Sequence, residues 1–572
     1  MAAQRCALRA ATCCHNSVVR GRQVVGLFHG HGRATQPIGF RRQTTLCIES
    51  LQPPDYVKVP VVSEDPKEVL AEMPELLLSG PRPVAAGQDS EVAPNAAALS
   101  RPLDQPLLPA AEVSVTAATS SQSVPQPRFA ELSNGTRVVC IDRGGMCASL
   151  GLFVEVGSRH EQPDQCFLPH ALELMAFRSS AHLSHMRTLK TLEQLGAAAS
   201  CRVGREDILY QCDTLREYVP VLLPLMLANV LCPSNLPEEV FEAQKHVAEA
   251  RAMLEENTEG LLAELLHQTA YQGNTLGNRL YADEDNLPHF TAESIQAYVQ
   301  RECTPDRFII VGVNTDFDEL CKWTVRSFAE HEAHRGATLK TTTVPQSSRP
   351  VAPAAYTGGD TRVEAPNPLC HLMLGWEMEG GWNGPTLAAV TVLQMFLGGG
   401  GSFSTGGPGK GMHTRMYTEV LNRHHWVESC QASSVMYMDS GIFTVYATVV
   451  PQHASEFITV MARIFRGVSQ ISPVELKRAK NALKSSIHMN LEMRAVMMED
   501  MGRQLVLSKK VGTAQEFGCM VDAVTAQDLL NVLRKCLQTE PTVVAFGAIE
   551  KVPSYEEIKT TLAASCPEPP RT

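Results

Sequence analysis

The sequence predicts an α+β fold of two homologous domains of about 200 residues each, related by internal duplication. Three observations carry this. Near the end of the first half, Thr291-Ala292-Glu293 opens a helical pattern, and the apolar strand Phe308–Val313 begins 17 residues after Thr291. Near the end of the second half, Thr525-Ala526-Gln527 opens another, and a strand over 543–548 begins 18 residues after Thr525. Threonine suits both openings because its hydroxyl accepts from an N–H of the first turn that has no partner in the helix. Upstream, a strand over 150–156 precedes a helix over 168–177, and a strand over 372–377 precedes a helix over 386–397. A stretch rich in Thr, Pro and Ser, 336–359, separates the halves. At 572 residues the chain is longer than one hydrophobic core organises.

From the amino end, residues 1–48 hold seven arginines and no acid before Glu49. An Arg-rich, acid-free leader predicts a mitochondrial transit peptide. Residues 49–128 form a Pro/Ala-rich, low-complexity spacer, with thirteen prolines between 51 and 128, expected to be disordered or draped over a surface. Order is expected from Phe129, where Ser133-Asn134-Gly135-Thr136 reads as a hairpin turn into a strand over 137–141. The first domain spans 129–335, the linker 336–359 and the second domain 360–560. A net charge of −11 speaks against nucleic acid and for a cationic partner. Seventeen cysteines without a CxxC pair read as reduced thiols. The richest apolar run, 219–231, is short and interrupted by Pro220 and Pro224, so no membrane span is expected.

Two segments promise chemistry. The first-half helix carries His170 and Glu173 at i and i+3, and Leu174 at i+4. A helical zinc site places two histidines at i and i+4 with a glutamate to activate the metal-bound water. Leu174 stands where the second histidine would be and cannot coordinate. The second segment is 398–411, GGGGSFSTGGPGKG, eight of whose fourteen residues are glycine. Glycine loses the most freedom on folding, so a compact fold keeps such a run where a backbone must flex or lie against a ligand. Flanking apolar sequence and the internal Phe403, Pro408 and Lys410 speak against a plain linker. The run matches neither G-x-x-x-x-G-K-[ST] nor G-x-G-x-x-G, which removes the nucleotide readings.

With Gly157-Ser158-Arg159 before the motif, Met175-Ala176-Phe177 after it and Arg205-Glu206-Asp207 beyond, the chain resembles the M16 metallopeptidase family. That resemblance implies two α/β-sandwich domains of the M16 peptidase (LuxS/MPP-like) type. It also implies a third zinc ligand from a downstream helix, a position that falls on Ala250, with an associated acidic position on Ala243; Glu242 and Glu249 stand one residue off and should point away. No metal is therefore expected in this chain.

The glycine segment, with Leu421-Asn422-Arg423-His424-His425-Trp426 and Asn490-Leu491-Glu492-Met493-Arg494, resembles the family branch that serves as α subunits of mitochondrial processing peptidases. The branch implies a non-catalytic, mitochondrial matrix subunit that captures Arg-rich presequences for a zinc-bearing β subunit. Gly398, Gly399, Gly400, Gly401, Phe403, Gly406, Gly407, Gly409, Lys410 and Gly411 would meet substrate, with acids from Glu377, Glu379, Glu499 and Asp500. Two other classes stand beside it: a core subunit of the cytochrome bc1 complex, and an autonomous zinc protease, against which Leu174 and Ala250 argue.

Overall fold

The computed structural model describes residues 56–59, 125–162, 166–336, 352–402 and 411–566. The leader 1–48, most of the spacer, and Phe403, Gly406, Gly407, Gly409 and Lys410 lie outside them. The first sheet contains β1 (Val57–Val59), β2 (Arg128–Leu132), β3 (Arg137–Ile141), β4 (Cys147–Val154), β5 (Ala198–Val203), β6 (Ile208–Leu215) and β7 (Phe308–Val313), in the order β1-β2-β3-β7-β4-β6-β5. The second contains β8 (Gly359–Glu364), β9 (Cys370–Glu377), β10 (Gly399–Gly401), β11 (Val427–Met436), β12 (Gly441–Val449) and β13 (Thr542–Gly547), in the order β10-β11-β12-β9-β13-β8.

Five strands of each sheet match in order and direction. In β3-β7-β4-β6-β5 and in β8-β13-β9-β12-β11, the first pair is parallel and the remaining pairs are antiparallel. The helices repeat too. The first half has α1 (Leu168–Leu174), α2 (His185–Gln194), α3 (Val219–Leu231), α4 (Pro237–Glu256), α5 (Thr258–Ala270), α6 (Ala292–Glu302) and α7 (Phe317–Gly336). The second has α8 (Leu387–Leu397), α9 (Ala454–Gly467), α10 (Pro473–Asn490), α11 (Arg494–Ser508), α12 (Ala514–Ala523), α13 (Ala526–Gln538) and α14 (Tyr555–Ala563). By position, α6 answers to α13 and α5 to α11. Thr291 and Thr525 cap α6 and α13 by accepting from the N–H of Ser294 and of Asp528. The duplication is thus borne out strand by strand.

Each sheet buries one face under its own helices, forming the two main cores. The opposite faces are covered by exchange. Helix α5 lays Leu262, Leu266 and Ala270 on Met373, Ile442 and Val544 of the second sheet. Helix α11 lays Met498, Met501 and Leu505 on Val139, Phe153, Ile309 and Val311 of the first. The α11 crossing is close because a Cβ at Gly151 would fall 2.0 Å from Met498 Sδ, and one at Gly502 2.0 Å from Phe153 Cε2.

One expectation is corrected. Residues 57–59 of the spacer form an edge strand, parallel to β2, with Tyr56 edge-on to Phe129 at 5.8 Å. The prolines do not prevent this, since Val57-Lys58-Val59 contains none. Residues 219–231 form one continuous helix: Pro220 sits in the first turn, where no N–H is needed, and packing on nearly every side holds the helix past Pro224. Among the described residues no helix is long and apolar enough to cross a membrane.

Candidate functional site

Pro169 sits in the first turn of α1, and His170 beside it is buried in the first-domain core, 1% exposed. Its Nδ1 accepts from the N–H of Ala282 at 3.3 Å, and its ring meets Tyr281 and Phe290 edge-on, centroids 5.4 and 6.4 Å away. An Nδ1 that accepts leaves the proton on Nε2, which then has no lone pair for a metal. Leu174 packs against the same core. Glu173 is half-buried beside Cys201, Arg202 and Tyr210.

On α4, Ala243 is buried and Ala250 half-buried, while the acids one residue earlier turn outward. Glu242 accepts from Arg178 at 2.5 Å, and Glu249 lies 2.9 Å from His246 Nδ1. These residues do not fit a zinc ion. Among the described residues no group of three or more His, Cys, Asp or Glu is placed to hold a metal.

The glycine segment begins as backbone structure. Helix α8 ends at Gly398, with φ +60°, and Gly399–Gly401 form β10, antiparallel to β11 with Gly399 opposite Gln431 and Gly401 opposite Ser429. Gly399, at φ +113°, could carry no side chain, for its Cβ would lie 2.0 Å from the Cys430 carbonyl oxygen. At Gly401 no described residue lies within 4 Å of a Cβ. Half of the entropic oddity at 398–401 is therefore a tight strand junction, and Gly401 is where the strand opens outward.

The expected acids do not gather at this strand. Across the sheet, Gly399 aligns with Gln431, Tyr446 and Met373. Glu377 stands four residues along β9 from Met373, about 13 Å at the usual strand rise. Burial raises its carboxyl pKa, with Glu379 adding repulsion. Glu379 itself is 86% exposed and 3.9 Å from Lys535.

Glu499 and Asp500 are corrected. Both lie on α11, the helix that covers the first sheet. Glu499 pairs with Arg202 at 2.8 Å, and Asp500 accepts from Gln504 at 2.7 Å while burial pushes its pKa up to about 6. Glu499 thus ties the two halves together and Asp500 is bonded within its own helix, so neither offers an open surface.

Sequence reasoning missed two sets of residues. Glu259, in the first turn of α5, accepts a hydrogen bond from Gln431 Nε2, directly across from Gly399. It keeps water contact, yet the protein around it raises its pKa. Exposed Glu428 accepts the Ser402 N–H through its carbonyl at 2.7 Å, placing a second acid beside the strand. The other set is a buried junction. Arg159, its side chain 1% exposed, donates to Glu206 at 2.5 Å, to both carboxylate oxygens of Asp439 at 2.7 and 2.6 Å, and to the Ala352 carbonyl at 2.9 Å. Burial outweighs the guanidinium and raises Glu206 to about 7; Asp439, which also accepts from the Ala354 N–H at 3.1 Å, lies below its ordinary value because these hydrogen bonds outweigh its partial burial.

Residues 137–284 match the family model described as insulinase (peptidase family M16), and residues 289–483 match the peptidase M16 inactive domain. The chain is similar to a probable mitochondrial-processing peptidase subunit alpha-2 of Arabidopsis thaliana, 33% identical over 79% of this chain and 88% of that protein. It is also similar to the human mitochondrial-processing peptidase subunit alpha, 31% identical over 82% of this chain and 91% of that protein. Among solved structures, a chain of complex III2 from Candida albicans shares the fold at a TM-score of 0.62 and 18% identity, over 76% of this chain and 99% of that one.

Proposed function

The chain belongs to the M16 peptidase family, and from that membership we propose that it is the non-catalytic, substrate-recognition α subunit of a mitochondrial processing peptidase. One observation carries the reading. The frame of a zinc peptidase is intact, but His170 and Leu174 are folded into core packing while the glycine segment springs from the edge of the second sheet. Cleavage then belongs to a zinc-bearing β subunit, and this chain supplies capture and orientation of the substrate. The similarity to named α subunits in plants and animals supports this, as does mitochondrial residence; we assign the chain to the matrix.

Presequences are rich in arginine. In this proposal residues 403–411 lie against the extended substrate, and Phe403 offers an apolar contact. Glu259 and Glu428 supply negative charge beside the strand, aided by the net charge of −11. A core subunit of the cytochrome bc1 complex is the second reading, favoured by the fold shared with the complex III2 chain.

The test is purification with and without a zinc-bearing β subunit. The chain alone should hold no stoichiometric zinc and cleave no presequence peptide, and the pair should cleave. One zinc per isolated chain would overturn the proposal. Recovery from mitochondria with cytochrome subunits attached would support the second reading.

A further inference from the structure

The outgoing limb of the glycine segment is gripped from its outer side. In an antiparallel pair, alternate residues of an edge strand turn their backbone groups away from the neighbour. Here Gly398 accepts from the Ala432 N–H at 2.9 Å and Ser402 donates to the Glu428 carbonyl at 2.7 Å, so both face β11. Gly399 and Gly401 turn outward and meet hydroxyls of the returning limb. The Gly399 N–H donates to Thr414 Oγ1 at 3.3 Å, and Tyr417 Oη donates to the Gly401 carbonyl at 2.8 Å. The Tyr417 ring also lies against Gly400, where a Cβ would be 3.3 Å from Cε2.

The returning limb is itself anchored. Arg415 donates to the carbonyls of Gly467 at 3.3 Å and Gln470 at 2.9 Å and to Glu475 at 3.1 and 3.2 Å, with its guanidinium 5.2 Å from the centre of the Phe396 ring. Met416–Leu421 then winds as a π-helix, a rare widened turn that is frequent at functional sites. Thr414 and Tyr417, three residues apart, reach the same strand.

We propose that Tyr417, assisted by Thr414, is a positioning residue for substrate recognition. Its hydroxyl holds Gly399–Gly401 in register at the sheet edge, so that the segment beyond Ser402 is offered to substrate from a set place. The same contact fills the edge to which an extended peptide would otherwise add as a further strand. The proposal rests on the processing-peptidase reading above.

The test is Tyr417→Phe in the complex with the β subunit, cleaving a fluorogenic Arg-rich presequence peptide. Phenylalanine keeps the ring against Gly400 and removes only the hydroxyl. KM should rise about fivefold, the size carried by one neutral hydrogen bond, with kcat within about twofold and complex formation unchanged. Adding Thr414→Val should raise KM further. Tyr356→Phe is the control: its hydroxyl binds the Gly375 carbonyl at 3.1 Å and Thr542 at 2.7 Å, away from the segment, and its loss should leave KM alone. If removing residues 403–410 raises KM and Tyr417→Phe does not, the positioning role is wrong and the subunit's function stands. If neither change moves KM, the recognition reading falls and takes this inference with it. A lowered KM in Tyr417→Phe would mean that the freed edge itself binds peptide, which also overturns the proposal.

Discussion

Replacing Arg159 with methionine should destabilise the chain by about 3–5 kcal/mol at pH 8.5, the usual cost of stranding buried charges by removing their partner. The structure places this cost at the upper level because one guanidinium, 1% exposed, serves two carboxylates from different halves, Glu206 at 7% and Asp439 at 31% exposure. The pH dependence follows from Glu206. Its folded pKa of about 7 is raised from 4.5, so in the wild type it favours the folded state while protonated, and that contribution is lost as pH rises from 4.5 through 7. Without Arg159 the folded pKa rises further. Above pH 7 the variant therefore loses stability that the wild type no longer has to lose, at a slope of about 1.4 kcal/mol per unit. Asp439, lowered from 3.8, contributes above that value and changes nothing between pH 6.5 and 8.5. Urea titrations followed by tryptophan fluorescence should show a larger deficit at pH 8.5 than at pH 6.5. The triple variant Arg159→Met, Glu206→Gln, Asp439→Asn should regain more than half of it. A deficit below about 1 kcal/mol, or one that grows as pH falls, would refute the reasoning.

Three further outcomes follow from the site. Gly399→Ala should cost about 2–4 kcal/mol, from a positive φ and a 2.0 Å clash with a carbonyl oxygen, whereas Gly401→Ala should leave the melting temperature unchanged; equal effects would show that β10 is wrongly described. Glu259→Gln should raise KM for an Arg-rich presequence about threefold and flatten its salt dependence, and a peptide with its arginines replaced by glutamine should not notice the change. Leu174→His restores the motif's spelling, but metal analysis should still find well under one zinc per chain, because His170 Nδ1 is committed to Ala282 and Ala250 offers no ligand. Stoichiometric zinc in that variant would show that His170 reorients freely.

What could be read from the sequence was local. Thr291 and Thr525 announced their helices through a capping interaction that needs only three residues, and the strands after them were continuous apolar runs. The duplicated sheet followed. The exchange of α5 and α11 did not, because periodicity shows which face of a helix is apolar but not which sheet it covers. Glu499 shows the consequence: on a helix covering its own domain it could face outward, but on one crossing to the first sheet it meets Arg202, while Asp500 bonds Gln504 one turn along α11 itself. Glu259 went unseen because its placement opposite Gly399 depends on the same exchange. Arg159 and Glu206 stood in recognisable motifs, while Asp439, 280 residues from Arg159, had no local feature to pair it with them. At 398–401 composition was a sound alarm with a partly different cause, since positive φ and backbone contact at Gly399 explain glycine there without substrate.

The central claim is that this chain handles substrate for zinc held by another subunit. The most direct measurement is the steady-state kinetics of the heterodimer with residues 403–410 deleted and Gly398–Ser402 and Gly411 kept, so that the strand and its junction survive. The account predicts at least a tenfold rise in presequence KM, kcat within about twofold and an intact dimer. An unchanged KM, or a kcat that collapses while KM holds, would contradict it.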